Sequence, residues 1–409
     1  MTEEERILKN KNIALSMKAT RAKRLNQICC VYTIKIDESC LSKLQKEQLK
    51  MLFVEAKWIY NYVLSSDDPF NVKIDSTIVK KNKDFEDEEV ELKYIGSQMK
   101  QSVVNQIKNQ IKTLSKLKAK GCKIGQLRYK KDFYSLDLKQ YGTTYKFYGS
   151  KAKIQNINGK LKVNGLKQLN SDMEFANAKI LNTPNGYYIA ITTFINKDKV
   201  KPKTYKNERI GVDFGCSTSF TLSNGDKLNC SVQESDRLKR LQRKLAKQSK
   251  VSKRRQKTIY LIRKEYQKLN NKKNDLANKI VAELSSYDKV IIQDEQLSIW
   301  KIKHGKKVHH SILGRVKTKL KNKENCIILN KYYPTSKLCT ECGTYNDDLQ
   351  LKDRIFVCPN CGHKSDRDIH AANNMLWFYD NIVAMGRSEV KRNELQSIVR
   401  TICGSNLER

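Results

Sequence analysis

Apolar and polar residues alternate through Ile28, Cys30, Tyr32, Ile34 and Ile36, and a period of two predicts a strand with one covered face. From Leu41 to Leu64 the period lengthens, and Leu44, Met51, Leu52, Trp58, Ile59, Tyr62 and Val63 make the stripe of an amphipathic helix. A second helix is predicted over Ser97 to Lys118, with Met99, Val103, Ile107, Ile111, Leu114 and Leu117 on one face. The acidic run from Asp84 to Glu91 between them reads as a solvated loop, with repulsion of nucleic acid from one surface as the alternative. Alternation returns in Tyr145 to Tyr148, Lys151 to Ile157, Lys160 to Val163, Ala178 to Leu181 and Tyr187 to Phe194, and Asn158-Gly159 is a hairpin signal. The first strand needs partners, so residues 1–40 and 120–205 are expected to form one antiparallel β-barrel into which the helical residues 41–119 are inserted.

After a lysine-rich linker the pattern changes class. Arg209-Ile-Gly-Val-Asp213-Phe-Gly reads as an apolar strand interrupted by an acid, which is either a strand-end surface residue or a metal ligand held at the centre of a sheet. Two helices follow, carrying Leu238, Leu241 and Leu245, then Ile259, Ile262, Tyr266, Leu269, Leu276, Ile280 and Leu284. A short apolar strand, Val290 to Ile292, again ends in acids, Asp294 and Glu295; strand alternation allows one of these two to face the site of Asp213. Cys326 to Leu329 is a further strand, and Asp368 opens a helix through Ala371, Ala372, Met375, Leu376 and Tyr379. His304, His309 and His310 are read as surface residues of a loop. The whole is an α+β multidomain chain.

Charge adds a partner. Among 409 residues, 80 Lys and Arg face 43 Asp and Glu, a formal net charge of +37. Such an excess repels itself unless a polyanion is bound, and a long nucleic acid is the economical one. Over residues 234–279 there are 17 basic and 4 acidic side chains. That one-signed face makes Arg240, Arg243, Lys244, Arg254 and Arg255 candidate nucleic-acid contacts. Arg128, Lys130 and Lys131 are further candidates because Tyr129 is interleaved with them and offers a base a stacking surface; a solvated strand edge is the alternative. An anionic membrane would also attract this charge, but no apolar run reaches spanning length and Met1-Thr-Glu-Glu-Glu-Arg is not a signal sequence. No membrane partner is therefore expected, and a cytoplasmic, nucleoid-associated location is.

Of the twelve cysteines, four fall as Cys339-x-x-Cys342 and Cys358-x-x-Cys361, with a glycine directly after each pair. Two such pairs predict a ribbon in which four thiolates hold one structural Zn²⁺. The remaining eight show no paired spacing, which suits a reducing compartment. Three acids at two strand ends and one helix start, Asp213, Glu295 and Asp368, would suit an RNase H-like sheet and the oxygen preference of Mg²⁺. No Ser/His/Asp arrangement or phosphate-binding glycine loop competes with them.

The order Ile-Gly-Val-Asp213-Phe-Gly, Val-Ile-Ile-Gln-Asp-Glu295-Gln-Leu, the two cysteine pairs, then Asp366-Arg-Asp368-Ile-His-Ala-Ala-Asn resembles the RuvC-type nuclease of transposon-encoded TnpB proteins, and equally of their miniature type V-F CRISPR relatives. The resemblance covers residues 206–380, and more loosely the N-terminal half. It departs from the family at His370, where many relatives carry Asn, and at the doubled acid Asp294-Glu295. The resemblance implies a wedge-like barrel (1–40 and 120–205), an inserted helical recognition domain (41–119), a RuvC-like nuclease (206–330 and 363–409) and a target-nucleic-acid-binding zinc ribbon (331–362). It implies catalysis by Asp213, Glu295 and Asp368 with two Mg²⁺, a guide RNA, and single- and double-stranded DNA targets next to a short motif read in the duplex, by a monomer or by a homodimer on one guide RNA. The alternatives are an RNase H-fold transposase or resolvase acting without RNA, and a guided DNA-binding repressor that does not cut.

Overall fold

In the computed structural model, which describes residues 2–81, 86–200, 204–350, 352–384 and 386, the alternation of Ile28 to Ile36 becomes a central strand. The first unit, Met1–Pro202, runs α1 (Glu3–Leu25), β1 (Gln27–Ile36), α2 (Lys43–Ser65), β2 (Thr77–Lys81), β3 (Asp87–Glu91), α3 (Ser97–Ala119), β4 (Ser135–Leu138), β5 (Tyr145–Tyr148), β6 (Lys151–Ile154), β7 (Leu161–Asn164), β8 (Glu174–Thr183) and β9 (Gly186–Asn196). Seven of these strands form one antiparallel sheet in the order β4-β8-β9-β1-β7-β6-β5. Its two edges, β4 and β5, are consecutive in the chain. The rings of Tyr141 and Phe147 lie 4.9 and 5.8 Å from Phe175 of β8, and the Tyr145 hydroxyl donates to the Ala176 carbonyl at 2.7 Å. The sheet is therefore nearly closed.

The helices α2 and α3 supply Leu49, Leu52, Ile59 and Val63, and Met99, Val103 and Ile107, to the same core as Ile34, Ile36, Ile189 and Ile191. Glu55 is 1% exposed, and its carboxylate accepts the backbone N–H groups of Lys93, Tyr94 and Ile95 at 2.8 to 3.2 Å. Burial pushes its pKa up, and those hydrogen bonds pull against the rise. The carboxylate thereby fixes the chain leading into α3 to the middle of α2.

Three local readings change. The polar start of the chain is a helix, α1, begun by a capping box in which Thr2 and Glu5 bond reciprocally. The acidic run is not a loop where it is described. Residues 87–91 form β3, paired with the lysines of β2 through Lys80–Glu88 and Lys81–Asp87; Asp84 and Phe85 lie outside the described residues. Residues 120–134, expected in the β region, form no strand.

The second unit, Lys203–Arg409, runs β10 (Asn207–Phe214), β11 (Phe220–Leu222), β12 (Lys227–Leu228), α4 (Asp236–Ala246), α5 (Lys253–Leu284), β13 (Tyr287–Gln293), α6 (Leu297–His310), α7 (Leu313–Lys321), β14 (Cys326–Leu329), β15 (Ile355–Val357), β16 (Lys364–Asp366) and α8 (Arg367–Phe378). A five-stranded sheet has the order β12-β11-β10-β13-β14, antiparallel on the β11 side and parallel through β10, β13 and β14. Parallel register pairs Val212 with Ile292, so the acids beyond them emerge at the same end of adjacent strands. The helix α8 lies on this sheet at Gly211, where a Cβ would meet the Ala372 carbonyl oxygen at 2.1 Å. Only a glycine lets strand and helix approach this closely.

The histidines expected in a loop lie on α6, and His310 is buried at 9% exposure. Among the described residues, no helix is long and apolar enough to cross a membrane. The part of the expected nuclease segment from 387 to 409 lies outside the described residues.

Candidate active site and metal centre

Each cysteine pair sits in a tight turn of the same design. Cys339 N–H donates to the Thr344 carbonyl and Gly343 N–H to the Cys339 carbonyl, both at 2.9 Å; Cys358 and Gly362 repeat this with His363 and Cys358 at 2.8 and 3.1 Å. Gly343 and Gly362 take φ of 72° and 74°, where a side chain is disfavoured. The antiparallel pair β15–β16 carries the second turn. The four sulfur atoms lie within 4.8 Å of one another, with Cys339–Cys361 at 3.7 Å and Cys342–Cys358 at 3.4 Å. Four thiolates around Zn²⁺, at Zn–S of about 2.3 Å, would stand roughly 3.8 Å apart, so the donor set fits zinc. Burial raises the Cys339 thiol and also acts on Cys342, but hydrogen bonds from Thr344 and Asn360 outweigh it there and bring Cys342 down to about 6. A thiol ionised near neutrality suits metal binding.

Asp213 is the penultimate residue of β10. Its carboxyl is pushed well above the ordinary range, first by burial and then by the negative charges of Asp368 and Glu295, with Arg367 opposing. The charges of the other two acids named from sequence are thus felt at Asp213, at the end of the parallel strands. The three acids do not close into a cluster as tight as the cysteines, which are the one such group among the described residues. Glu295 is raised by burial and by Asp294, with Lys317 opposing. Asp294 points elsewhere: Lys317 and Lys321 of α7 both reach it at 2.9 Å and, led by the Lys321 hydrogen bond, hold its pKa down. The doubled acid is therefore divided, with Asp294 bound to α7 and Glu295 buried, its charge felt at Asp213. Asp366 caps α8 through the N–H groups of Asp368 and Ile369, and this sets Asp368 in the first turn.

A buried polar chain ties this end of the sheet to the ribbon, and no sequence pattern announced it. The Gln293 amide donates to the carbonyls of Asn330 and Tyr333 at 3.1 and 2.7 Å, and its oxygen accepts from the Thr335 hydroxyl at 3.0 Å. Asn374 of α8 donates to the carbonyls of Thr335 and Leu338, each at 2.7 Å. His370 donates from Nε2 to Leu338 at 2.8 Å and stacks on Phe356 with ring centroids 3.9 Å apart. Its burial lowers its pKa. His370 is a packing residue that seats the ribbon on α8.

The candidate nucleic-acid contacts separate into two kinds. Arg128, Lys131, Arg240, Arg243, Lys244 and Arg254 are exposed. Lys130 instead lies over the rings of Tyr60 and Phe133 at 3.8 and 4.3 Å, desolvated enough for its pKa to fall. Arg255 donates to the carbonyls of Leu245 and Gln248 at 2.6 and 2.9 Å and so closes the C-terminus of α4.

Two family models match this unit and its approach: one described as "Probable transposase" over residues 192–297, and one described as "Cas12f1-like, TNB domain" over residues 309–375. A Streptomyces pristinaespiralis protein named "Putative RNA-guided DNA endonuclease" is 26% identical over 192 residues, 44% of this chain and 47% of that protein. Three TnpB-like proteins of Acanthamoeba polyphaga mimivirus are 30% identical over 150 residues, covering 31% of this chain and 26% of each relative. The chain thus spans less than half the length of these relatives. A solved Cas12f1–sgRNA–target DNA complex aligns at a TM-score of 0.42 and 13% identity, over 68% of this chain and 70% of that one.

Proposed function

Since the chain belongs to the TnpB and type V-F family, we propose that it is an RNA-guided DNA endonuclease that hydrolyses phosphodiesters in a RuvC-like site. The observation that carries this reading is the field of Asp368 and Glu295 on the buried carboxyl of Asp213 at the end of parallel strands. Three carboxylates brought together and partly desolvated repel one another, and a hard cation relieves the repulsion. The donor set fits Mg²⁺, and Asp213, coupled to both other acids, fits the ligand shared by a pair of ions. Such ions would activate water and stabilise the leaving 3′ oxygen. The chain's own part is positioning: β10 and β13 present two acids side by side, the Asp366 cap sets the third, and Lys317 and Lys321 withdraw Asp294.

In this reading the nearly closed sheet is the wedge, α2 and α3 belong to the inserted recognition segment, and the ribbon holds Zn²⁺ against α8. The exposed basic face of α4 and α5 supplies part of the grip on a guide RNA and its DNA heteroduplex. An RNase H-fold transposase or resolvase would need the same acids but no RNA.

The test is cleavage of target DNA by the protein purified with its host RNA. Asp368→Ala should abolish cutting and leave target binding intact, because the acids do not grip phosphate. Asp294→Ala should cut nearly as wild type while Glu295→Ala does not. The reverse outcome would mean that the second motif is read one residue out of register. Cutting by all three variants would end the nuclease reading, and cutting by RNA-free protein would favour the resolvase.

A further inference from the structure

Just past Asp213, the turn between β10 and β11 opens on a cavity of ≈ 470 Å³ bounded by residues 215–219, 229–233 and 306–313. Its wall contains no Asp or Glu, although Asp213 precedes Gly215 by two residues and Glu234 directly follows Gln233. Lys306 and Lys307 reach it from the C-terminal part of α6, four serine hydroxyls line it, and Asn229 and Gln233 offer amides. Its wall includes His310, 9% exposed, whose Nδ1 has no hydrogen-bond partner. An unsatisfied buried nitrogen in a polar cavity is what a ligand atom would relieve. The Lys307 charge is felt at Cys216, where it opposes the effect of burial on the thiol, so this ammonium stands by the cavity. The volume is in the range that seats a small organic group, about 300–1000 Å³.

Resting on the nuclease reading above, we infer that this cavity seats one nucleotide of the DNA strand being cut. Its phosphate lies against Lys306 and Lys307, and its base stands over His310 with its polar edge toward Asn229 and Gln233. Gly215 is two residues beyond Asp213, a span of at most about 7 Å, so the seated nucleotide is a close neighbour of the phosphodiester at the acids. The cavity then sets how far the strand is drawn in before it is cut. The same chemistry would also take a free nucleotide or inorganic phosphate, and the probes must separate these sources.

Cys216 is a built-in reporter, because a filled cavity shields its thiol. In full-length protein, alkylation is followed peptide by peptide by mass spectrometry, with exposed Cys29 and Cys122 as internal standards. The probes are inorganic phosphate, dTMP and a short oligothymidylate. At ten times its dissociation constant the oligonucleotide should slow Cys216 alkylation about tenfold, and phosphate and dTMP should not at the same phosphate concentration. The double variant Lys306→Gln/Lys307→Gln should lose that protection. Unchanged Cys216 labelling with the oligonucleotide overturns the inference, and so does equal protection by phosphate or dTMP alone. Cleavage is read on the same preparation. A protein that cuts with Cys216 unprotected refutes the cavity alone, and one that is protected but never cuts refutes the nuclease alone.

Discussion

Replacing Gly211 with alanine should injure stability and chemistry together. In an ordinary strand interior the change would be favourable by about 0.5–1 kcal/mol, since glycine loses more freedom on folding. Here the new methyl would stand 2.1 Å from the Ala372 carbonyl oxygen. That atom belongs to the backbone of α8, so no side chain can swing away and the helix itself must retreat by roughly 1 Å. Overpacking of this kind costs about 1–3 kcal/mol and outweighs the entropic gain. The difference is about 1.3 kcal/mol at mid-range and at most about 2.5, and each kcal/mol moves Tm by about 2–4 °C for a unit of this size, so a fall of about 3–5 °C is expected in a thermal scan. Because α8 carries Asp368 in its first turn, the same displacement moves a carboxylate off its mark, and a 1 Å misplacement can cost about a hundredfold in rate. Single-turnover cleavage at saturating enzyme reads this without interference from binding. A Gly211→Ala protein with unchanged Tm and unchanged rate would refute the argument that α8 is seated on β10 at this contact.

The other expectations are narrower. Cys358→Ser should lower zinc, measured by elemental analysis, well below one ion per chain, and a full complement of zinc in that variant would contradict the four-thiolate site. Changing Arg240, Arg243, Lys244 and Arg254 to Gln should reduce the slope of log affinity against log salt by up to about 3.6, with Arg255 spared because its guanidinium closes α4; an unaltered slope would mean that face is only solvated. In metal-free protein the raised pKa of Asp213 means the folded state holds the proton more tightly than the unfolded chain does. Stability should then fall as pH climbs from the ordinary carboxylate range, near 4, towards the raised value. Asp213→Asn should remove this loss and raise Tm in EDTA at neutral pH, and Mg²⁺ should narrow the difference; equal Tm values in EDTA would show that the carboxyl is not under strain.

Much of the site was legible because its chemistry is written locally. The spacing of Cys339, Cys342, Cys358 and Cys361 and the glycines behind them fix two turns without help from the rest of the chain. Asp213 and Glu295 stood out as acids closing apolar runs. What was not legible depends on partners distant in sequence. Nothing near Lys130 says that Tyr60 will lie beneath its ammonium, and nothing near Arg255 says that the end of α4 will take its guanidinium. The apolar residues of α1, among them Ile7, Leu8, Ile13 and Met17, are sparse and exposed, so a periodicity reading passes over the helix although Thr2 and Glu5 spell its start. The lysines of β2 turn an acidic run into a strand partner, which composition alone reads as a loop. Gly211 looked like one more small residue in a strand until α8 was laid across it.

The hydrogen bonds that Gln293 and Asn374 make to the chain between Asn330 and Leu338 bear on how such proteins could be recombined. The metal site looks portable, a self-contained clasp of four cysteines. Its stalk is not, because the carbonyls of Asn330, Tyr333, Thr335 and Leu338 are anchored on one side by a strand residue two positions from Glu295 and on the other by α8. A ribbon transplanted from a relative would bring a foreign stalk to these anchors. Unless positions 293, 335, 370 and 374 travelled with it as a set, the graft would bind its metal normally and still leave amides stranded beneath β13.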